Sequence, residues 1–300
     1  MAVLQTIDRE LNEYMNITGK TKLVGLLGNP VKHSISPLMH NEAFRQLDMD
    51  LIYLAFEVEN GNLEKAVQGL KSLGAIGWNV TMPYKKEICE YLDELSPAAR
   101  VARSVNTVIN KNGKLVGETT DGIGFIRSIE EAGVSISGKK MTLMGAGGAA
   151  ISVLVQSALD GAREISVFNR KGKSYDNLKE ILPEISKISG CTLNLFEYNE
   201  KILAREINDS DILVNGTPIG MEPDTEKSPI VDVSIFHKDL FVYDMIYNPE
   251  ETMLIKQAKN AGCSTMNGLH MLLYQGAAAF ELWTGEQMPV EIVKEKYFKR

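Results

Sequence analysis

A set of polar residues in the first half of the chain stands where a strand or loop built only to hold a fold has no need of them. In "NPVKHSISPLMHN", Ser34 and Ser36 lie two apart just before a helix start. Hydroxyls, backbone N–H groups and the helix dipole can together bind a carboxylate at such a place. In "WNVTMPYKKEI", Asn79 and Thr81 share one side of a strand end by the period of two, and Lys85 follows just beyond Pro83. "SVNTV" contributes Asn106, and "GETTDGIGF" ends a pair of strand-like runs with Asp121. Ligands of α/β sheets collect at the C-terminal ends of strands, which gives this distribution a physical reason. Each residue also has a plain structural reading. Ser36 can simply cap its helix, Asn79 and Asn106 can tie loops, Lys85 can be a surface lysine beside Lys86, and Asp121 can be the N-cap of the helix after it.

A second group lies further on. "MTLMGAGGAAISVLVQSALDG" reads as strand, glycine turn and helix, with Gly145, Gly147 and Gly148 in the turn. Glycines there let the backbone pass close to a pyrophosphate, which the N–H groups of the following helix favour. A tight turn with no ligand has the same local pattern. The stretch "SVFNRKGK" bears on the choice, because Asn169, Arg170 and Lys171 occupy the place at the end of the next strand where an NAD-type site puts an acid. An acid there holds the ribose 2′-hydroxyl and repels a 2′-phosphate, whereas Asn with Arg accepts the phosphate, and Lys171 and Lys173 add positive charge. A solvated basic loop is the competing reading.

The elements that must carry these residues follow from periodicity. From residue 23 short β-rich runs alternate with helical ones: "KLVGLL", "SPLMHNEAFRQL", "LIYLAFEV", "NLEKAVQGLKSL" and "GWNVT". This βαβαβ rhythm predicts a mostly parallel sheet with helices on both faces, and Ser36 before Pro37 predicts a helix with a serine N-cap. Asn112-Gly113 then favours a type I′ hairpin, and "DGIGFIRSIEEAG" reads as a helix ending at Gly133. A second alternating series runs through "EISVFN", "TLNLF", "DILVNGT" and "LFVYDMIY", which places a boundary near Asp121 to Gly124. "NGLHMLLYQGAAAFELWTG" is a long apolar helix between Gly268 and Gly285.

Composition narrows the function classes. With 300 residues, 44% of them hydrophobic, two domains are expected, and Asp8, Arg9 and Glu10 interrupt any apolar leader, which points to a cytoplasmic protein. Cys89, Cys191 and Cys263 form no C-x-x-C pair, and His33, His40, His237 and His270 have no metal-ligand spacing, so reduced thiols and no metal are expected. A formal net charge of −7 argues against nucleic-acid and anionic-membrane partners and makes the local cluster of Arg170, Lys171 and Lys173 more informative.

Taken in order, "GNPVKHSISPLMHN", "NVTMPYK", "SVNTV", "TTDGIGF", "GAGGAA", "NGTPIGM" and "NGLHMLLYQGAAAFELWTG" resemble the shikimate dehydrogenase family, from about residue 22 to the last helix. "EYLDELSPAAR" and the long lead-in resemble its quinate/shikimate branch. The resemblance implies an α/β protein of two domains, residues 1–121 with 268–300 for substrate and catalysis and 122–267 a Rossmann-type cofactor domain, with the C-terminal helices returning to the first. It implies reversible oxidation of the shikimate 3-hydroxyl to 3-dehydroshikimate in aromatic amino acid biosynthesis, with quinate as an alternative substrate, by a monomer or homodimer. Ser34 and Ser36 would hold the carboxylate, Asn79, Thr81, Asn106 and Gln275 the ring hydroxyls, and Tyr247 would close the site. Gly145, Ala146, Gly147, Gly148, Ala149, Asn169, Arg170, Lys171, Thr217 and Gly268 would bind the cofactor. In the quinate-accepting branch an acid often follows the Asn-Arg run; Gly172 stands there instead, which favours NADP and keeps NAD as the alternative.

Lys85 and Asp121 match the family's catalytic pair. A secondary alcohol loses hydride only as its proton leaves, so a group must take that proton and return it in reverse. A lysine suits this, because its ammonium stabilises a developing alkoxide and burial eases its release of a proton, while a carboxylate such as Asp121 opposes that release. Lys85 is then either the acid/base itself or the electrostatic partner of a relay through Asp121. Two competing readings remain at this level: another two-domain nicotinamide enzyme, such as a methylenetetrahydrofolate dehydrogenase or a glutamyl-tRNA reductase, and a non-catalytic sensor on the same fold. The paired serines count against the first, and retention of both Lys85 and Asp121 counts against the second.

Overall fold

The computed structural model describes residues 17–298. Asp8, Arg9 and Glu10, on which the expectation about a leader rests, lie outside the described residues.

The first half contains strands β1 (Lys22–Gly28), β2 (Leu51–Glu57), β3 (Gly77–Val80), β4 (Glu94–Leu95), β5 (Thr107–Lys111) and β6 (Lys114–Glu118), with helices α1 (Ser36–Gln46), α2 (Leu63–Ser72) and α3 (Pro97–Ala102) between them. They form one sheet in the order β2-β1-β3-β5-β6-β4. β1 runs parallel to β2 and β3, and β6 parallel to β4, whereas β5 is antiparallel to both β3 and β6. The β5–β6 hairpin closes through Asn112 and Gly113, both at positive φ as a type I′ turn requires. Its antiparallel direction has a consequence for the site. Both open ends of the hairpin, at Asn106 and at Thr119 to Asp121, fall at the same rim as the C-terminal ends of β1 and β3.

Helix α4 (Asp121–Glu131) leads to the second sheet, built from β7 (Lys140–Met144), β8 (Glu164–Asn169), β9 (Thr192–Glu197), β10 (Ile212–Asn215), β11 (Phe241–Asp244) and β12 (Ser264–Asn267). Helices α5 (Gly148–Leu159), α6 (Lys173–Ser189), α7 (Glu200–Asn208) and α8 (Met253–Asn260) connect them. All five pairings are parallel in the order β12-β11-β10-β7-β8-β9, the doubly wound arrangement whose direction reverses between β7 and β10. The central strands β7, β10 and β11 are buried along their whole length, as a parallel sheet covered on both faces demands.

Helices α9 (Leu269–Thr284) and α10 (Val290–Tyr297) return to the first sheet. Leu273, Ala277 and Phe280 of α9 enter the core formed by Met39, Phe44 and Tyr53, and the Trp283 indole donates to the Val108 carbonyl at 2.9 Å. Arg127 of α4 grips Glu281 of α9 through two bonds of 2.9 Å. No helix among the described residues is long and apolar enough to cross a membrane.

Candidate active site

The rim where β1, β3, β5 and β6 end faces a cavity of about 340 Å³. Ser34, Ser36, Asn79, Thr81, Lys85, Asn106, Asp121 and Gln275 line it from the first half and α9. Ala149, Met245 and Tyr247 close it from the second half, with Gly268 at the start of α9. Every residue expected to touch substrate therefore meets in one place, although they come from six separate stretches of chain.

The polar groups are bonded to one another. Lys85 Nζ donates to Asp121 Oδ2 at 2.6 Å, with the lysine side chain 21% exposed and the aspartate 9%. Lys86 next to it is exposed, so the two lysines are not equivalent. Asp121 Oδ1 accepts from Asn106 Nδ2 at 2.8 Å, and the same amide lies 3.3 Å from Gln275 Oε1. The Asn106 carbonyl oxygen of the side chain accepts from the Thr120 backbone N–H at 2.7 Å, which fixes the amide's orientation. Asn79 donates to the Asn106 main-chain carbonyl and to Thr107 Oγ1, both at 3.1 Å, and accepts from the Tyr53 hydroxyl at 2.8 Å. Burial pushes the Tyr53 phenol far above its usual range. A chain of hydrogen bonds thus joins Tyr53, Asn79, Asn106, Asp121 and Lys85. Sequence reasoning missed Tyr53, Thr107 and Thr120, whose partners lie on other strands.

One detail at this rim corrects the sequence reading. Ile35, not Ser36, occupies the cap position of α1 and makes no side-chain cap bond, while Ser36 is the first helical residue. Ser34 Oγ accepts the Ser36 N–H at 3.2 Å, which satisfies the first N–H of the helix from outside it. Both serines line the cavity. Asp121 likewise is the first residue of α4, with Thr120 at the cap position, so it is not the N-cap.

The second cluster lies along the switch point of the parallel sheet. Gly145 follows β7 at φ 101°, and a Cβ on it would stand 2.8 Å from the Gly216 carbonyl oxygen, so only glycine lets the two turns pass. Ala146 is buried, Gly147 and Gly148 open α5 without any side-chain cap, and nothing lies within 4 Å of a Cβ placed on Gly147. Unpaired helix N–H groups beneath open space fit a pyrophosphate. Thr217, after β10, is held by Asn215 Oδ1, which accepts from its N–H at 3.0 Å and its hydroxyl at 2.7 Å.

The Gly145 N–H donates to the Phe168 carbonyl at 2.8 Å, which sets the turn directly beside the end of β8. There Asn169 is half-buried and donates to the Arg170 carbonyl at 3.1 Å, and Arg170 is exposed. Lys171 has an ion-pair partner on the neighbouring strand. Its ammonium is engaged by Glu197 at 2.9 Å, which holds it above the usual lysine range. Gly172 stands at φ 142°, a backbone that side chains rarely adopt, so the missing acid at this place has a conformational reason. None of these β8 residues lines the cavity.

Family models described as "Shikimate dehydrogenase substrate binding domain" and "Shikimate 5'-dehydrogenase C-terminal domain" match residues 26–108 and 268–296. The "Shikimate dehydrogenase (NADP(+))" of Listeria monocytogenes serotype 4b (strain F2365) is 47% identical over 283 residues, spanning 94% of this chain and 97% of that protein. The "Quinate/shikimate dehydrogenase" of Escherichia coli (strain SMS-3-5 / SECEC) is 42% identical over 282 residues, with 94% and 98% covered. Among solved structures, shikimate 5-dehydrogenase from Listeria monocytogenes in complex with shikimate and NAD superposes with a TM-score of 0.90 at 46% identity, covering 94% of this chain and 98% of that one.

Proposed function

The chain belongs to the shikimate dehydrogenase family, and from that premise we propose that it oxidises the 3-hydroxyl of shikimate to the ketone of 3-dehydroshikimate, reversibly, with NADP preferred over NAD. The observation that carries this reading is the Lys85–Asp121 pair, 2.6 Å apart, on a cavity that Ser34 and Ser36 also line. The serines bind the ring carboxylate and thereby set the ring's orientation, while Asn79, Thr81, Asn106 and Gln275 bind its hydroxyls. The hydroxyl to be oxidised meets Lys85. Its proton passes to the Lys85–Asp121 pair as the C–H bond on the same carbon gives up hydride and the C–O bond becomes a carbonyl, and the lysine N–H groups stabilise the charge on oxygen. In reduction the same pair polarises the carbonyl and returns the proton.

When bound, the nicotinamide supplies the hydride acceptor. Gly145, Ala146, Gly147, Gly148 and Ala149 would hold the pyrophosphate, Asn169, Arg170 and Lys171 the adenosine end, and Thr217 and Gly268 the nicotinamide end. Tyr247, 45% exposed at the mouth of the cavity, closes over substrate. On this reading residues 1–121 with 268–300 form the catalytic unit and 122–267 the cofactor unit. The intact ion pair supports turnover over a ligand sensor. The enzyme works in the cytoplasm in aromatic amino acid biosynthesis as a monomer or homodimer, without a metal, nucleic-acid or membrane partner, and quinate is its second substrate. An absorbance assay of cofactor reduction, crossing shikimate and quinate with NADP and NAD, tests the whole reading. Turnover of shikimate with NADP is expected to be the fastest combination, and no turnover of either acid would overturn it.

A further inference from the structure

The end of β8 lacks an acid in its own sequence, but strand order brings one from outside. Asn169 and Glu197 are partners in the parallel register of β8 and β9, and the Tyr198 N–H donates to the Asn169 carbonyl at 3.1 Å. The Glu197 carboxylate therefore belongs to the same rim as Asn169, whatever rotamer it takes. It also holds the Lys171 ammonium at 2.9 Å, with the lysine side chain 72% and the glutamate 53% exposed. Of the three cations read from "SVFNRKGK", one is thus neutralised in place, and Arg170 and Lys173 are left to face a phosphate.

We infer that Glu197 is a cofactor-selecting residue, which lowers the preference for NADP over NAD by placing a carboxylate beside the adenosine ribose. The inference rests on the proposed placement of that ribose at the end of β8. The carboxylate does at this rim what an acid at the end of β8 does elsewhere, accepting a hydrogen bond from a 2′-hydroxyl and opposing a 2′-phosphate. It reaches the site from the adjacent strand, where backbone strain at Gly172 imposes no limit. The effect is graded because the group is exposed. A carboxylate roughly 7 Å from a doubly charged phosphate in water, reduced by ionic screening, changes binding by about three- to tenfold.

The test is direct calorimetric titration of the free protein with NADP and with NAD, which needs no turnover. Glu197→Gln should raise the ratio of the NAD to the NADP dissociation constant by about three- to tenfold at low salt, with the gain shrinking as salt increases. Because this variant also frees Lys171, it is compared again in a Lys171→Ala background. A gain that persists there assigns the effect to the carboxylate; a gain that vanishes belongs to the freed lysine and overturns the assignment. Arg170→Ala separates this inference from the reading beneath it. If Arg170→Ala weakens NADP selectively while Glu197→Gln leaves the ratio unchanged, Glu197 does not select and the placement of the 2′-phosphate stands. If Arg170→Ala alters neither cofactor, the placement itself fails, and the inference with it.

Discussion

The two rims of the molecule are built in opposite ways. At the first sheet, Asn79, Asn106 and Asp121 are buried and bonded to one another, so the groups that would meet substrate are oriented by the fold. At the end of β8, Arg170 and Lys171 are exposed, and the single strong contact of Lys171 is an ion pair open to solvent. The contrast follows from the two tasks. Proton transfer needs atoms held to fractions of an ångström, and the necessary rigidity comes from low-exposure hydrogen bonds that cannot trade with water. Choosing between cofactors that differ by a phosphate needs only a difference in charge, which exposed side chains provide at little structural cost. Chemistry and cofactor choice are therefore energetically separate.

The largest expected effect lies at the wired rim. Lys85→Ala and Asp121→Asn should each lower kcat by ~10²-fold or more, the scale of lost acid–base help, with the dissociation constant of the cofactor little changed. Near-normal kcat in Lys85→Ala would dissolve the distinction between Lys85 and its exposed neighbour Lys86.

The next effect concerns stability under the same rim. His40 is fully buried, stacked on Tyr53 at 4.5 Å, and neither ring nitrogen has a hydrogen-bond partner among the described residues. Burial pushes its pKa down from 6.5 to about 3. The unfolded chain binds this proton at a higher pH than the folded one, so the stability contributed by neutral His40 is present above pH 6.5 and lost as pH falls toward 3. Between neutrality and about pH 4.5 the loss is about 3 kcal/mol. Asp244, buried at the end of β11 and pushed up from 3.8 to about 6, works in the opposite direction, gaining stability as pH falls through 6. The informative quantity is therefore a difference. Urea unfolding of wild type and His40→Leu should show a shallower acid slope in the variant, and equal slopes would remove His40 as the cause.

A smaller effect belongs to the carboxylate-binding serines. Ser34→Ala should raise KM for shikimate roughly tenfold, as expected if one charge-assisted hydrogen bond of ~1.5 kcal/mol is lost, with kcat nearly kept. Unchanged KM in Ser34→Ala, Ser36→Ala and the double variant would leave the pair as helix-start residues only.

How much of this was legible in the sequence depends on whether the signal was local. The order of strands and helices, the Asn112-Gly113 hairpin and the limits of α9 at Gly268 and Gly285 rest on periodicity and glycine, and the structure has them where expected. The Ser-Pro signal shows the limit of such reading. At Ser96-Pro97 the serine caps its helix, accepting the Ala99 N–H at 3.1 Å, whereas at Ser36-Pro37 the helix starts one residue earlier, with Ile35 at the cap position and Ser36 already inside it. Contacts between distant strands gave no local trace. Tyr53 meets Asn79 across 26 positions, Asn106 meets Gln275 across 169, and Glu197 reaches the β8 rim only because β9 is its neighbour.

A double-mutant cycle between the rims tests whether they act separately. Asp121→Asn, Arg170→Ala and the combination are assayed for kcat/KM with NADP varied at saturating shikimate and fixed salt. Separate rims predict that the two losses in transition-state stabilisation add within about 0.5 kcal/mol. A coupling above about 1 kcal/mol, of either sign, is the kind found between residues that share a network, and it would contradict the account.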